Sequence, residues 1–138
     1  MKILKVLISD DVHPHLSQSL ADLGFEIYYE PKITWKEALR RISTFYGVVI
    51  NTKMKMNAEI LEKAHNLKFI ARLGSGLDII NLPLCNAKGI HVINSPEGNR
   101  NAVAEHNMGM ILMLFNKLKS ADKNVKSGQW DREILRGY

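Results

Sequence analysis

Five short apolar runs, Ile3 to Ile8, Phe25 to Tyr29, Gly47 to Ile50, Lys68 to Ala71 and Ile90 to Ile93, recur along the chain and are nearly continuous rather than alternating. Strands of that texture are covered on both faces, which is the situation in a parallel sheet flanked by helices. The segments between them carry helical patterns with identifiable starts and stops. Pro14 suits a first helical turn, Leu16, Leu20 and Leu23 share one face, and Gly24 supplies the stop. Thr34 followed three residues later by Glu37 reads as a capping box, ahead of inward-facing Ala38, Leu39 and Ile42. Asn57 can cap a third helix carrying Ile60, Leu61 and Ala64, and a short fourth helix fits Leu82 to Ala87. Strand and helix alternate, so the expected fold is α/β: a parallel, doubly wound, flavodoxin-like sheet of about five strands.

The texture changes after Asn94-Ser95-Pro96-Glu97-Gly98-Asn99. From Asn101 to about Leu118 a long helix is expected, with Val103, Ala104, Met108, Met110 to Phe115 and Leu118 on more than one face. A helix apolar around its circumference needs burial on several sides. One sheet covers only one side, so a further domain or a second copy of the chain is expected against it, and a homodimer through helix 101–118 follows. The remaining residues are polar and hold no further strand pattern.

Composition narrows the function classes. At 138 residues, 46% hydrophobic and 24% charged, the chain has the balance of an ordinary globular domain. No apolar run approaches the roughly 18 residues that span a bilayer, and the amino terminus reads as a first strand rather than a secretion signal. The single cysteine, Cys85, excludes an internal disulfide and fits a reducing, cytoplasmic compartment; it reads as a small apolar filler on a helix. The net charge of +5 is scattered, and the denser stretch from Lys117 to Arg136 is broken by Asp122, Asp131 and Glu133, as on a solvated helix face. Neither nucleic acid nor membrane is expected as a partner.

The segment with the clearest chemical meaning is Arg72-Leu73-Gly74-Ser75-Gly76-Leu77-Asp78, directly after the fourth apolar run. Two glycines around a serine at the carboxyl end of a buried strand let main-chain N–H groups approach an anion. A dinucleotide loop would need a third glycine where Ile79 stands, so a small carboxylate is the expected ligand. Other constellations are weaker. Asp10 and Asp11 would suit a receiver domain, but Asn51 stands where its phosphoacceptor would be. His13 and His15 lack a third ligand at metal spacing, and adjacent Glu105 and His106 point apart on a helix. Trp35 and Trp130 read as packing anchors.

Taken in order, Arg72 to Asp78, then Ala87-Lys-Gly-Ile-His-Val-Ile-Asn-Ser-Pro, then Val103-Ala-Glu, then Gly128-Gln-Trp resemble the amino-terminal part of D-isomer-specific 2-hydroxyacid dehydrogenases. Within that family the likeness is greatest to the members that oxidise 3-phosphoglycerate in serine biosynthesis. The resemblance implies a substrate domain at 1–98, and at 99–138 a crossover helix and the start of a nucleotide-binding domain. It implies an NAD-dependent oxidoreductase whose dinucleotide fingerprint and catalytic arginine, glutamate and histidine have no matching positions here, so this chain alone is expected to be inactive. It also implies that Gly74, Ser75 and Gly76 bind the substrate carboxylate and that Ser75 and Val103 lie near the cofactor. Where 3-phosphoglycerate-oxidising members often carry arginine, this chain has Asn51, which leaves Lys53 or Lys55 for the phosphate. The alternatives are a stand-alone carboxylate-binding or regulatory module and a self-associating structural domain.

Overall fold

The computed structural model describes residues 3–137. Two compact units divide the chain, Met1–Pro96 and Glu97–Tyr138.

The first unit is built on a five-stranded, all-parallel sheet: β1 (Lys5–Ile8), β2 (Glu26–Tyr29), β3 (Gly47–Ile50), β4 (Phe69–Arg72) and β5 (His91–Asn94), in the order β2-β1-β3-β4-β5. This is the flavodoxin-like doubly wound order, whose ligand crevice lies outside the carboxyl ends of the strands where the winding reverses. Alternate residues serve opposite faces. Val6, Ile8 and Val49 meet Leu16 and Leu20 of α1 (Pro14–Asp22) on one side. On the other, Leu7, Val48, Ile50 and Ile70 pack with Ala38 and Leu39 of α2 (Trp35–Arg41), Ile42 of the 3-10 turn that follows it, Ile60 and Leu61 of α3 (Ala58–Lys63), and Cys85 of α4 (Leu82–Ala87).

Three helices thus share one face and a single helix serves the other. Coverage on both faces therefore holds for β1 and β3 but not at the β5 edge, where Ile93 is 56% exposed. Leu23 also departs from expectation. It is the residue at which α1 stops and is exposed, while Leu16 and Leu20 alone carry the inward face. Gly24 ends the helix at φ +89°, donating its N–H to Ala21 O, and glycine alone adopts that conformation cheaply. A Cβ at Gly47 would overlap the Phe69 ring, so glycine is required there for space. Cys85 is fully buried and its burial pushes the thiol up, away from the reactive thiolate. Trp35 packs on the core as expected and donates its Nε1 proton to Lys55 O at 2.9 Å.

The capping box of α2 is complete. Glu37 N donates to Thr34 Oγ1, and the Glu37 carboxylate accepts from the Thr34 hydroxyl at 2.6 Å and from Thr34 N at 2.8 Å. Those bonds, the hydroxyl's first, hold the Glu37 carboxyl below the usual carboxylate range. A folded-state value below the unfolded one stabilises at pH above the unfolded value, and the contribution fades as pH falls through the folded one. Thr34→Ala is expected to cost about 1 kcal/mol at neutral pH. Urea unfolding should show the gap between variant and parent narrowing toward acid.

The second unit differs from the single helix expected over 101–118. α5 (Arg100–Phe115) ends with Asn116 returning its side-chain amide to Leu112 O at 3.0 Å, and Lys117 enters the left-handed region at φ 51°. A second helix, α6 (Leu118–Lys126), then begins within the basic stretch whose charge pattern suits a solvated helix face. It carries an i,i+4 pair between Asp122 and Lys126. Beyond it, Asn124 gathers Gln129 and Asp131 through its side chain, and Gly128 turns the chain at φ 74°. Trp130, expected as an anchor, is 79% exposed. Neither helix contains a buried residue, and Val103, Met108, Met110 to Phe115 and Leu118 are all exposed. No described helix is long and apolar enough to cross a membrane.

Candidate functional site

The carboxyl ends of β1, β3, β4 and β5 bring together the residues with chemical potential. At the reversal between β1 and β3, Asp10 is nearly buried. Its Oδ2 accepts from Asn51 N at 2.9 Å and from Ser9 Oγ at 3.2 Å, and its Oδ1 stands 3.7 Å from Lys53 Nζ. Lys53 also donates to Pro31 O. Asp10 therefore ties the ends of β1 and β3 together and engages the lysine that sequence reasoning offered to a phosphate. Asp11 accepts from the Tyr29 hydroxyl at 3.2 Å.

The neighbouring loop after β4 is arranged differently. Its first N–H groups are used internally: Leu73 N donates to Ile50 O and Gly74 N to Arg72 O. From Ser75 onward the pattern changes, and the N–H groups of Ser75, Gly76 and Leu77 donate to no acceptor among the described residues. Ser75 and Gly76 are exposed. Buried main-chain donors are nearly always paired, so two adjacent unpaired ones at a strand end form a site only where solvent or a ligand reaches them. Neither glycine adopts a positive φ. Space is tight only at Gly76, where a Cβ would stand 2.7 Å from Asp78 Oδ1, the end of a flexible side chain, and 3.2 Å from Arg72 Nη1; at Gly74 a Cβ would make an ordinary contact with Arg72 Cζ at 3.4 Å.

Arg72 enters the sequence motif only as its first residue, yet it organises this loop. Its Nε donates to Asn51 O at 3.3 Å and its Nη1 to Gly76 O, and no carboxylate pairs with it among the described residues. The cation is thus held by two carbonyls, half-buried, with its charge uncompensated by an ion pair. Asp78 contributes the opposing charge near Gly76 but makes no hydrogen bond among the described residues. Across the sheet, Asn94 Nδ2 donates to Ser75 O at 2.7 Å and Ser95 N to Gly74 O at 3.1 Å. The signal for both side chains was the pairing of β4 with β5, which sets Arg72 opposite Asn94 at the same level of the sheet.

Of the residues singled out in the sequence, Gly74, Ser75 and Gly76 form one contiguous loop, Lys53 sits after β3 against Asp10, and Val103 lies half-exposed on α5 in the other compact unit. Ile79, where a dinucleotide loop would need glycine, packs on the core, and its carbonyl accepts from Met56 N at 2.9 Å. No helix starts at Gly76 to receive a pyrophosphate. Among the described residues no group of three histidine, cysteine or acidic side chains is placed to hold a metal ion.

The sequence matches the family model for the catalytic domain of D-isomer specific 2-hydroxyacid dehydrogenases over residues 6–127. It is 31% identical over 134 residues to D-3-phosphoglycerate dehydrogenase of Archaeoglobus fulgidus and 31% identical over 133 residues to the Homo sapiens protein of the same name. Those alignments cover 97% and 96% of this chain and 25% of each relative, so the chain spans about a quarter of the length of the curated relatives it matches. Among solved structures, the PH0520 protein of Pyrococcus horikoshii superposes with a TM-score of 0.85 at 27% identity, covering 94% of this chain and 39% of that one. The NAD+-bound 3-phosphoglycerate dehydrogenase of Entamoeba histolytica gives 0.65 at 28% identity, covering 84% and 40%.

Proposed function

The chain belongs to the D-isomer-specific 2-hydroxyacid dehydrogenase family, and on that premise we propose that it is the substrate-binding part of an oxidoreductase acting on a D-2-hydroxy acid, with 3-phosphoglycerate as the first-choice substrate. One observation carries the reading: the N–H groups of Ser75 and Gly76 are unpaired and exposed at the carboxyl end of β4. Two such donors, beside the unpaired charge of Arg72, suit a carboxylate, since hydrogen bonds to an ionised acceptor are about twice as strong as neutral ones. Gly74 and Gly76 leave the approach open. Lys53 is the candidate for the distal phosphate, in competition with Asp10.

NAD, the family's cofactor, fits this chain in part. Ser75 Oγ makes no hydrogen bond among the described residues, and Val103, in the other compact unit, is exposed, so each by itself is open to a cofactor, whereas Ile79 and the missing helix start leave no seat for the pyrophosphate among the described residues. Bound NAD would accept hydride from the substrate's carbinol carbon. What this chain's residues do is grip the carboxylate, so that the carbinol carbon is presented in one orientation. The arginine, histidine and glutamate that hold the substrate and move its hydroxyl proton are placed by this reading in the rest of a full-length family member, and the protein in the cytoplasm.

The reading predicts no NADH turnover by this chain alone. Calorimetry should show 3-phospho-D-glycerate binding more tightly than D-lactate; equal or tighter binding of D-lactate rejects the phosphorylated substrate, and steady turnover rejects the division of labour. A second reading, a stand-alone carboxylate-binding module, is favoured by one fact: every group that holds the loop lies within Met1–Pro96. Micromolar affinity without turnover would favour that module.

The exposed apolar residues of α5 support a homodimer through this helix, because a contiguous bare apolar surface marks an interaction site. Light scattering is expected to give twice the chain mass. A monodisperse monomer at high concentration would contradict the dimer.

A further inference from the structure

We propose that Asn94 is a positioning residue that sets the direction of the Gly76 N–H, and that the anion loop is aimed one peptide at a time from the ends of β4 and β5. Three consecutive loop carbonyls are each held by a different donor: Gly74 O by Ser95 N at 3.1 Å, Ser75 O by Asn94 Nδ2 at 2.7 Å, and Gly76 O by Arg72 Nη1. A trans peptide is planar, so its C=O and the N–H that follows point in opposite directions. Holding the Ser75 carbonyl against Asn94 turns the Gly76 N–H the other way. The same geometry links Gly74 O to the Ser75 N–H, and Gly76 O to the Leu77 N–H. All three of those N–H groups lack an acceptor among the described residues, as the scheme requires.

Asn94 suits the task because a carboxamide donates to a carbonyl where an aspartate of the same shape only accepts. Asn94→Asp would set two acceptors face to face and release the peptide to rotate. The side chain does not belong to the core: it is half-buried at the last position of β5, so its replacement leaves the apolar packing intact. The proposal names what aims the donors of the carboxylate site, and rests on that reading only for the identity of the ligand.

Solvent exchange of individual amide protons, measured by NMR on the unliganded chain, tests the aim, and titration with 3-phospho-D-glycerate tests its use. In Asn94→Asp and Asn94→Ala the Gly76 amide is expected to change its exchange rate by about ten-fold or more, while Ser75, whose peptide is held by Ser95, stays within about two-fold. The apparent Kd for 3-phospho-D-glycerate should rise by about ten-fold in both variants, with the thermal midpoint little changed. Equal changes at Ser75, Gly76 and Leu77, or none at Gly76, would overturn the proposal. If Gly76 responds as stated but the metabolite moves no loop amide in the unsubstituted chain, the aim stands and the carboxylate reading falls. If the metabolite binds at the loop and both variants bind it as tightly as the parent, the reading stands and the role of Asn94 falls.

Discussion

Replacing Phe45 with alanine is expected to lower the unfolding free energy of the Met1–Pro96 unit by about 4 kcal/mol, the middle of the range for truncating a buried aromatic. Phe45 is 1% exposed at the turn that leads from α2 into β3. Its ring meets Tyr28 edge to face at 5.4 Å between centroids, and the Arg41 guanidinium lies 5.6 Å from its centre, itself forked on Glu30 by two bonds of 2.7 Å. Alanine removes the transfer term, leaves a cavity, and strips one aromatic neighbour from Arg41. Because small domains are stable by only about 5–15 kcal/mol, a loss of that size should be plain in a urea titration as a large fall in midpoint. A shift under about 1 kcal/mol would mean that the core collapses around the site, at odds with a single well-packed cluster.

The second large effect concerns Arg72. Arg72→Met keeps most of the apolar stem and removes both the charge and the fork that grips Asn51 O and Gly76 O. Hydrogen bonds involving a charged group are worth about 1.5–3 kcal/mol, so 3-phospho-D-glycerate affinity is expected to fall by about ten- to a hundred-fold. Arg72→Lys separates the two contributions, since a lysine restores the point charge but cannot span both carbonyls in a planar fork. It should recover only part of the loss. Affinity of the parent should also fall with added salt, because a site open to solvent is screened. A parent-like affinity for Arg72→Met would show that neither the charge nor the bracing of Gly76 contributes.

Much of the sheet could be read directly. The central strands β1 and β3 are buried throughout apart from Lys5, and the caps at Thr34, Asn57 and Gly24 depend on residues within four positions of one another, so local chemistry alone announces them. Strand limits moved by two residues at the start of β1 and by one at β2, β4 and β5, where the ladder rather than the apolar run sets the boundary. The break at Asn116-Lys117 escaped because the apolar pattern runs across it to Leu118; the legible sign was Asn116, a residue that readily caps a helix end. Leu23 and Trp130 were misplaced because hydrophobicity says that a side chain favours burial, not that a partner is present.

The loop after β4 was legible as a backbone feature and opaque in its support. Gly74-Ser75-Gly76 announces close approach, but Asn94 stands 19 residues from Ser75, and nothing short of the β4–β5 register makes them neighbours. Lys53 shows the converse difficulty. A lysine just after β3 invites a phosphate, while the aspartate that engages it sits at the end of β1, far away in sequence and adjacent only in the sheet.

The most direct measurement is the set of backbone amide resonances followed while 3-phospho-D-glycerate is added to the chain. Saturable shifts largest at Ser75 and Gly76 are the predicted result. Shifts confined elsewhere, for instance to the hollow lined by Glu30, Lys32, Glu37, Arg40 and Arg41, or no shift at the loop at saturating metabolite, would contradict the account.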